Sequence, residues 1–273
     1  MNTLLKTALA SLSTVLALMP ALASADVGTL GASGPLETAI TFGYYISSAG
    51  FLVASMIMGL AVSKFGKSTL GAVLSFLFTG TAIFFAITVF QKLGGEFFGI
   101  SDESMDIWWH IMFYLALISY YFGLKALVNL GNDNEKGMPP VSGRAWGIFS
   151  AIILVVIFLI PQSADSIVMA YNASILSELG LHHFLAFLIA GIVGWYLFTA
   201  KKNLGQIGRA IAGPMIIGIW SLGLQHFWEL LTESWKWIPV TSTVGEGVEK
   251  IFLTVTAVCV SYAAWRLKSS AQG

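Results

Sequence analysis

The chain has 273 residues, of which 56% are hydrophobic and only 10% charged, with a formal net charge of zero. A soluble domain carries roughly 25% charged residues, so a water-exposed fold is excluded and lipid is the solvent that suits the composition. A single cysteine, Cys259, excludes an intramolecular disulfide and lies in an apolar run where a buried, inert thiol is expected. The basic residues are too dispersed to form a nucleic-acid-binding patch.

The first segment reads as a cleavable export signal over residues 1–25. Lys6 supplies a positive start, Leu9 to Met19 an apolar stretch too short to span comfortably, and Pro20 a break. Ala23-Ser24-Ala25 then offers a small-residue cleavage site, which makes Asp26 the expected mature start, outside the cell. Residues 26–273 are expected to form one all-α bundle of about seven membrane-spanning helices. The apolar segments lie near 37–62, 69–92, 105–129, 144–161, 182–200, 209–232 and 248–266. Pro35 stands before the first, Ser104 is placed to cap the third, and Gly131 to Gly143 is the clearest turn region.

Basic residues give the orientation. With the mature start outside, Lys64, Lys67, Lys125, Lys136, Arg144, Lys201, Lys202, Arg209, Arg266 and Lys268 fall inside. Only Lys92, Lys236 and Lys250 remain outside once the leader has gone. Positive residues resist translocation, so the pattern predicts a multi-pass protein of a bacterial inner membrane, N-terminus out and C-terminus in. Twelve of the fourteen acids fall on the outer side, which makes that mouth attractive to cations. Glycines in the first, second and sixth spans predict closely packed helices.

All four histidines map to the outer third of the membrane, on three helices. His110 in the third span and His226 in the sixth each lie about 9 Å below their outer helix ends, and His182 and His183 open the fifth span. Carboxylates accompany them at helical spacing: Asp106 precedes His110 by four residues, Glu229 follows His226 by three, and Glu233 follows Glu229 by four. Ionisable groups within spans are costly and functional by default. The nearby Trp108, Trp109, Trp228, Trp235 and Trp237 read as an interfacial aromatic belt.

Two chemistries fit. One is a non-haem copper, zinc, iron or manganese centre with His110, His226 and His182 or His183 as nitrogen ligands, Asp106 and Glu229 as oxygen ligands or supports, and Glu233 as a further metal-site carboxylate. The other is a b-type haem between His110 and His226, with Gly223 leaving room for the porphyrin and Phe227 and Trp228 at its edge. Either predicts a metalloprotein or cytochrome-like subunit handling electrons or metal near the periplasmic face, with a periplasmic redox protein or other membrane subunits as partners. A cation or proton transporter, a channel, and a non-catalytic assembly or sensor module are the competing readings. No serine, cysteine or lysine is placed as a nucleophile, so any catalysis would be metal-based.

Overall fold

A computed structural model describes residues 34–65, 68–98, 102–130, 142–159, 175–201 and 206–270. The leader, its cleavage site and Asp26 lie outside these residues, as does most of the 131–143 turn. Every described element is helical: α1 (Pro35–Phe65), α2 (Thr69–Phe98), α3 (Asp102–Leu130), α4 (Gly143–Leu159), the single turn α5 (Ile175–Glu178), α6 (Leu181–Ala200), α7 (Gln206–Glu229) and α8 (Ser242–Ser270). A π-helical turn, Leu230–Ser234, prolongs α7.

Six helices, α1, α2, α3, α6, α7 and α8, are long and apolar enough to cross a membrane. The 17 described residues of α4 extend about 25 Å, at the short end of the range for a membrane span. Pro35 opens α1 as its first helical residue, where the missing amide hydrogen costs nothing. The third span differs at its start. The helix begins at Asp102, so Ser104 lies inside its first turn rather than capping it.

The six long helices close into a ring in the order α1, α2, α3, α6, α7, α8 and back to α1, and α4 packs outside against α2 and α3. Because α4 stands aside, α3 and α6 become parallel neighbours with their N-termini at one end of the bundle. The ring is filled by an aromatic column. Phe51 stacks on Phe84 at 5.2 Å between ring centres, Phe84 meets Phe113 edge-on at 5.7 Å, and Tyr120 stacks on Phe84 at 5.8 Å. All four are fully buried. Gly80 lets α2 approach this column, since a Cβ there would lie 2.9 Å from the Tyr120 ring. Facing outward are large apolar side chains such as Met56, Leu60, Ile152, Ile192 and Trp195, a surface suited to contact with lipid.

Several buried hydroxyls bind within the bundle. Ser47 Oγ donates to Gly43 O and lies 3.2 Å from Thr254 Oγ1 across the α1–α8 seam, and Ser261 Oγ donates to Gly50 O at 2.7 Å. Cys259 is half-buried on α8 rather than wholly enclosed.

Candidate metal centre

Three ring helices deliver the cluster. His110 comes from α3, His183 from the first turn of α6, and His226 with Glu229 from the last turn of α7. Each of the four is at most 6% exposed. The α6 start is fixed by Gly180, which holds the left-handed conformation (φ 63°, ψ 34°) before the helix begins. A Cβ at Gly180 would collide with Ser234 and Leu230 on the π-turn, so backbone angle and space both demand glycine. Tyr114 Oη donates to the His182 carbonyl at 2.6 Å, stitching α3 to α6 at this level.

The π-turn arises where the chain leaves α7. The Trp235 amide bonds the Leu230 carbonyl five residues back, at 2.9 Å. Such turns recur at functional sites, and here the wider turn follows directly on Glu229.

Donor atoms converge on one point. His183 Nδ1 lies 3.3 Å from His110 Nε2, 3.5 Å from His226 Nδ1 and 3.0 Å from Glu229 Oε2, and His226 Nδ1 lies 2.5 Å from that same oxygen. Three imidazole nitrogens and one carboxylate oxygen all fall within 4.8 Å of one another. Despite its two close nitrogens, Glu229 Oε2 is buried and receives no properly directed hydrogen bond. A tetrahedral ion with bonds of about 2.0–2.1 Å holds its ligands about 3.3–3.4 Å apart, close to three of the four separations. Two ligands of one such ion are at most about 4.2 Å apart, so the widest pair must close by roughly half an ångström. This buried group of His110, His183, His226 and Glu229 could hold a metal ion.

Surrounding contacts fix the carboxylate. Gln225 Nε2 donates to Glu229 Oε1 at 2.9 Å, leaving Oε2 for the cluster. Trp109 packs edge-on against both His110 and His226, at 5.4 and 5.2 Å between ring centres, and Phe113 meets His226 at 4.2 Å. The aromatic column is thus the floor of the site. Trp109, expected in the interfacial belt, is only 7% exposed and belongs to this floor, whereas Trp237 is 69% exposed.

The remaining expected residues lie around the rim. The His182 ring packs 4.6 Å from His110 and 3.9 Å from His183 without joining the four converging atoms. Glu233, on the π-turn with its side chain 58% exposed, places Oε2 3.9 Å from His183 Nε2. Asp106 lies in the first turns of α3, and its side chain is outside the described residues. The porphyrin space expected beside Gly223 is filled. A Cβ there would meet Ala190 Cβ at 3.1 Å, and Phe227 packs against Phe187 at 5.1 Å. Gly223 serves direct contact of α6 with α7.

Sequence reasoning missed a second set of ionisable residues at this end. Lys250, expected at the outer edge of its span, is 3% exposed and sits between α1 and α8. Its Nζ lies 4.0 Å above the Tyr44 ring, and Tyr44 Oη donates to Glu246 Oε1 at 3.3 Å. The Glu246–Lys250 spacing of four, which puts both on one helix face, was the available signal. It was hidden because α8 begins at Ser242, about two turns before the apolar run.

No family model, no curated protein and no solved structure matches the chain.

Proposed function

We propose that the chain is a multi-pass membrane metalloprotein of a bacterial inner membrane, holding one resident transition-metal ion just below the outer surface. His110, His183 and His226 would supply nitrogen ligands and Glu229 an oxygen ligand. The observation that carries this reading is Glu229 Oε2, a buried carboxylate oxygen with imidazole nitrogens at 2.5 and 3.0 Å and no directed hydrogen bond to it. A buried carboxylate needs a compensating positive charge, and a metal ion placed at the common focus of the carboxylate and the imidazoles would provide one. Three imidazoles with a carboxylate suit zinc, copper or iron better than hard alkaline-earth ions. When bound, the ion would supply redox or Lewis-acid chemistry. The chain's own part is to set four donors, exclude water with Trp109 and Phe113, and hold Glu229 through Gln225.

Filling of the Gly223 surroundings by Ala190 and Phe187 favours a bare ion over a b-type haem. The buried column of Phe113, Phe84, Phe51 and Tyr120 beneath the site favours a resident ion over one in transit, since a transport path needs polar groups at the bilayer midplane. With the charge bias placing this end outside, Glu233 and the half-buried His182 mark the side from which the ion, a redox protein or a small substrate would approach.

The test is elemental analysis of protein purified in mild detergent without chelator. A single transition-metal ion per chain is expected, lost in the His183→Ala/His226→Ala double variant. Protein that carries no metal after reconstitution with zinc, copper and iron, or a double variant that retains it, overturns the reading.

A further inference from the structure

His183 stands between two carboxylates carried by successive turns of one chain segment. Its Nδ1 lies 3.0 Å from Glu229 Oε2, and its Nε2 lies 3.9 Å from Glu233 Oε2. The two ends of the ring differ in their surroundings. Glu229 is buried among the converging donors, whereas the Glu233 side chain is 58% exposed. Glu233 reaches the ring because the π-turn that carries it is fastened to the start of α6. Ser234 and Leu230 close over Gly180, into the space a Cβ would need, and Trp235 Nε1 donates to Leu179 O at 3.3 Å. The π-turn is thus held against the chain three residues before His183.

We propose that Glu233 is a positioning residue of the metal site: it draws the ring proton of His183 to Nε2 and so leaves the Nδ1 lone pair for the ion. The inference rests on the metal reading above. A ligating imidazole is neutral and carries one proton, on the nitrogen turned away from the metal. In His183 the two carboxylates compete for that proton. Glu229 Oε2 draws it toward Nδ1, where it would block ligation, and Glu233 draws it toward Nε2, where it would not. The partner behind a metal-bound histidine fixes its tautomer and raises its basicity. At 3.9 Å the contact is longer than a hydrogen bond, and a turn of the exposed Glu233 side chain, or one bridging water, closes the gap. His226, the other histidine beside Glu229 Oε2, differs: its Nδ1 faces that oxygen, and its buried Nε2 has no hydrogen-bond partner among the described residues. Of these two ligands, His183 is the one whose tautomer a polar neighbour sets.

The experiment compares wild type, Glu233→Ala and Glu233→Gln as full chains in detergent at one pH. Affinities for Zn²⁺ and Cu⁺ are measured by competition with chromophoric chelators. Imidazole ¹⁵N NMR of histidine-labelled protein reads which nitrogen of each ring bears the proton, with His183 identified by the signals that His183→Gln lacks. Glu233→Ala should weaken metal binding about 10–100-fold, the usual cost of losing such a partner, and move the His183 proton toward Nδ1 in metal-free protein. Glu233→Gln keeps an acceptor oxygen and should recover both the tautomer and most of the affinity. A glutamate that only fastens the π-turn to α6 would, when replaced by alanine, lower the Tm of metal-free protein and leave the tautomer where it is. An unmoved tautomer in Glu233→Ala, wild-type affinity in that variant, or a Glu233→Gln protein that behaves as Glu233→Ala therefore overturns the inference while the metal reading stands. Wild-type protein that binds no zinc, copper or iron overturns the metal reading, and this inference falls with it.

Discussion

Replacing Glu229 with glutamine is the sharpest probe of the cluster. The substitution keeps the shape of the side chain and keeps an oxygen for Gln225 Nε2, which now bonds Glu229 Oε1 at 2.9 Å. What it removes is the anionic oxygen lying between His183 and His226. Loss of a supporting partner around a metal ligand typically costs 10–100-fold in affinity, so loss of the ligand itself should cost at least about 100-fold. A metal present at 100 times its dissociation constant stabilises the folded protein by about 2.7 kcal/mol, and weakening it 100-fold leaves about 0.4 kcal/mol. For a chain of this size that takes the metal-induced rise in Tm from roughly 5–10 °C to about 1 °C. Two measurements check it, a chelator competition for affinity and a thermal melt in detergent with and without metal. If Glu229→Gln binds within about threefold of wild type and keeps the full Tm rise, Glu229 is not a ligand, and the convergence of donor atoms has another cause.

Three further outcomes are expected. Gly180→Ala should lower Tm and weaken metal binding together, because a left-handed φ costs a residue with a Cβ about 1–2 kcal/mol and the new methyl meets Ser234 and Leu230; a melt and a metal titration on the one variant read both. Ser47→Ala should cost only about 0.6 kcal/mol, the usual worth of an interhelical hydroxyl contact in a bilayer, measured by unfolding in mixed micelles. Cysteines introduced at Trp237 and at Ser269, in a Cys259→Ala background, should react with an impermeant thiol reagent from opposite sides of the membrane, Trp237 from the outside. Labelling of both from one side would refute the orientation.

Much of this arrangement could be read from the chain before any coordinates. Helix lengths and a rise of 1.5 Å per residue are enough to place His110 and His226 at one depth, since depth follows from counting. Azimuth does not. His182 and His183 are adjacent, about 100° apart around α6, and counting alone cannot choose between them; packing against α3 and α7 turns His183 inward at 4% exposure and leaves His182 at the rim. The neighbours of each helix were also beyond reach. The contact of α3 with α6 skips α4, and no local pattern encodes such a pairing. Gln225 stayed unnoticed because a glutamine beside a histidine carries no periodic signal. Trp109 was misplaced because tryptophans near a helix end fit an interfacial belt and a buried aromatic floor equally well until neighbouring helices are known. The π-turn after Glu229 has no signature in composition at all.

Closure of the ring through α1 and α8 has a consequence for how the protein is made. Helices enter the membrane in chain order, so α1 waits for most of synthesis with one flank unoccupied. That flank displays Gly43, Ser47 and Gly50, surfaces shaped for the Lys250, Thr254 and Ser261 level of α8. The three helices that carry the histidines can meet earlier, since α3, α6 and α7 all precede α8. Maturation would therefore proceed in two acts, with a nascent metal pocket assembled first in an open crescent and sealed from the side only when the last stave slides in. A chaperone, or a metal-delivery step acting on the half-built protein, would find its window between those acts.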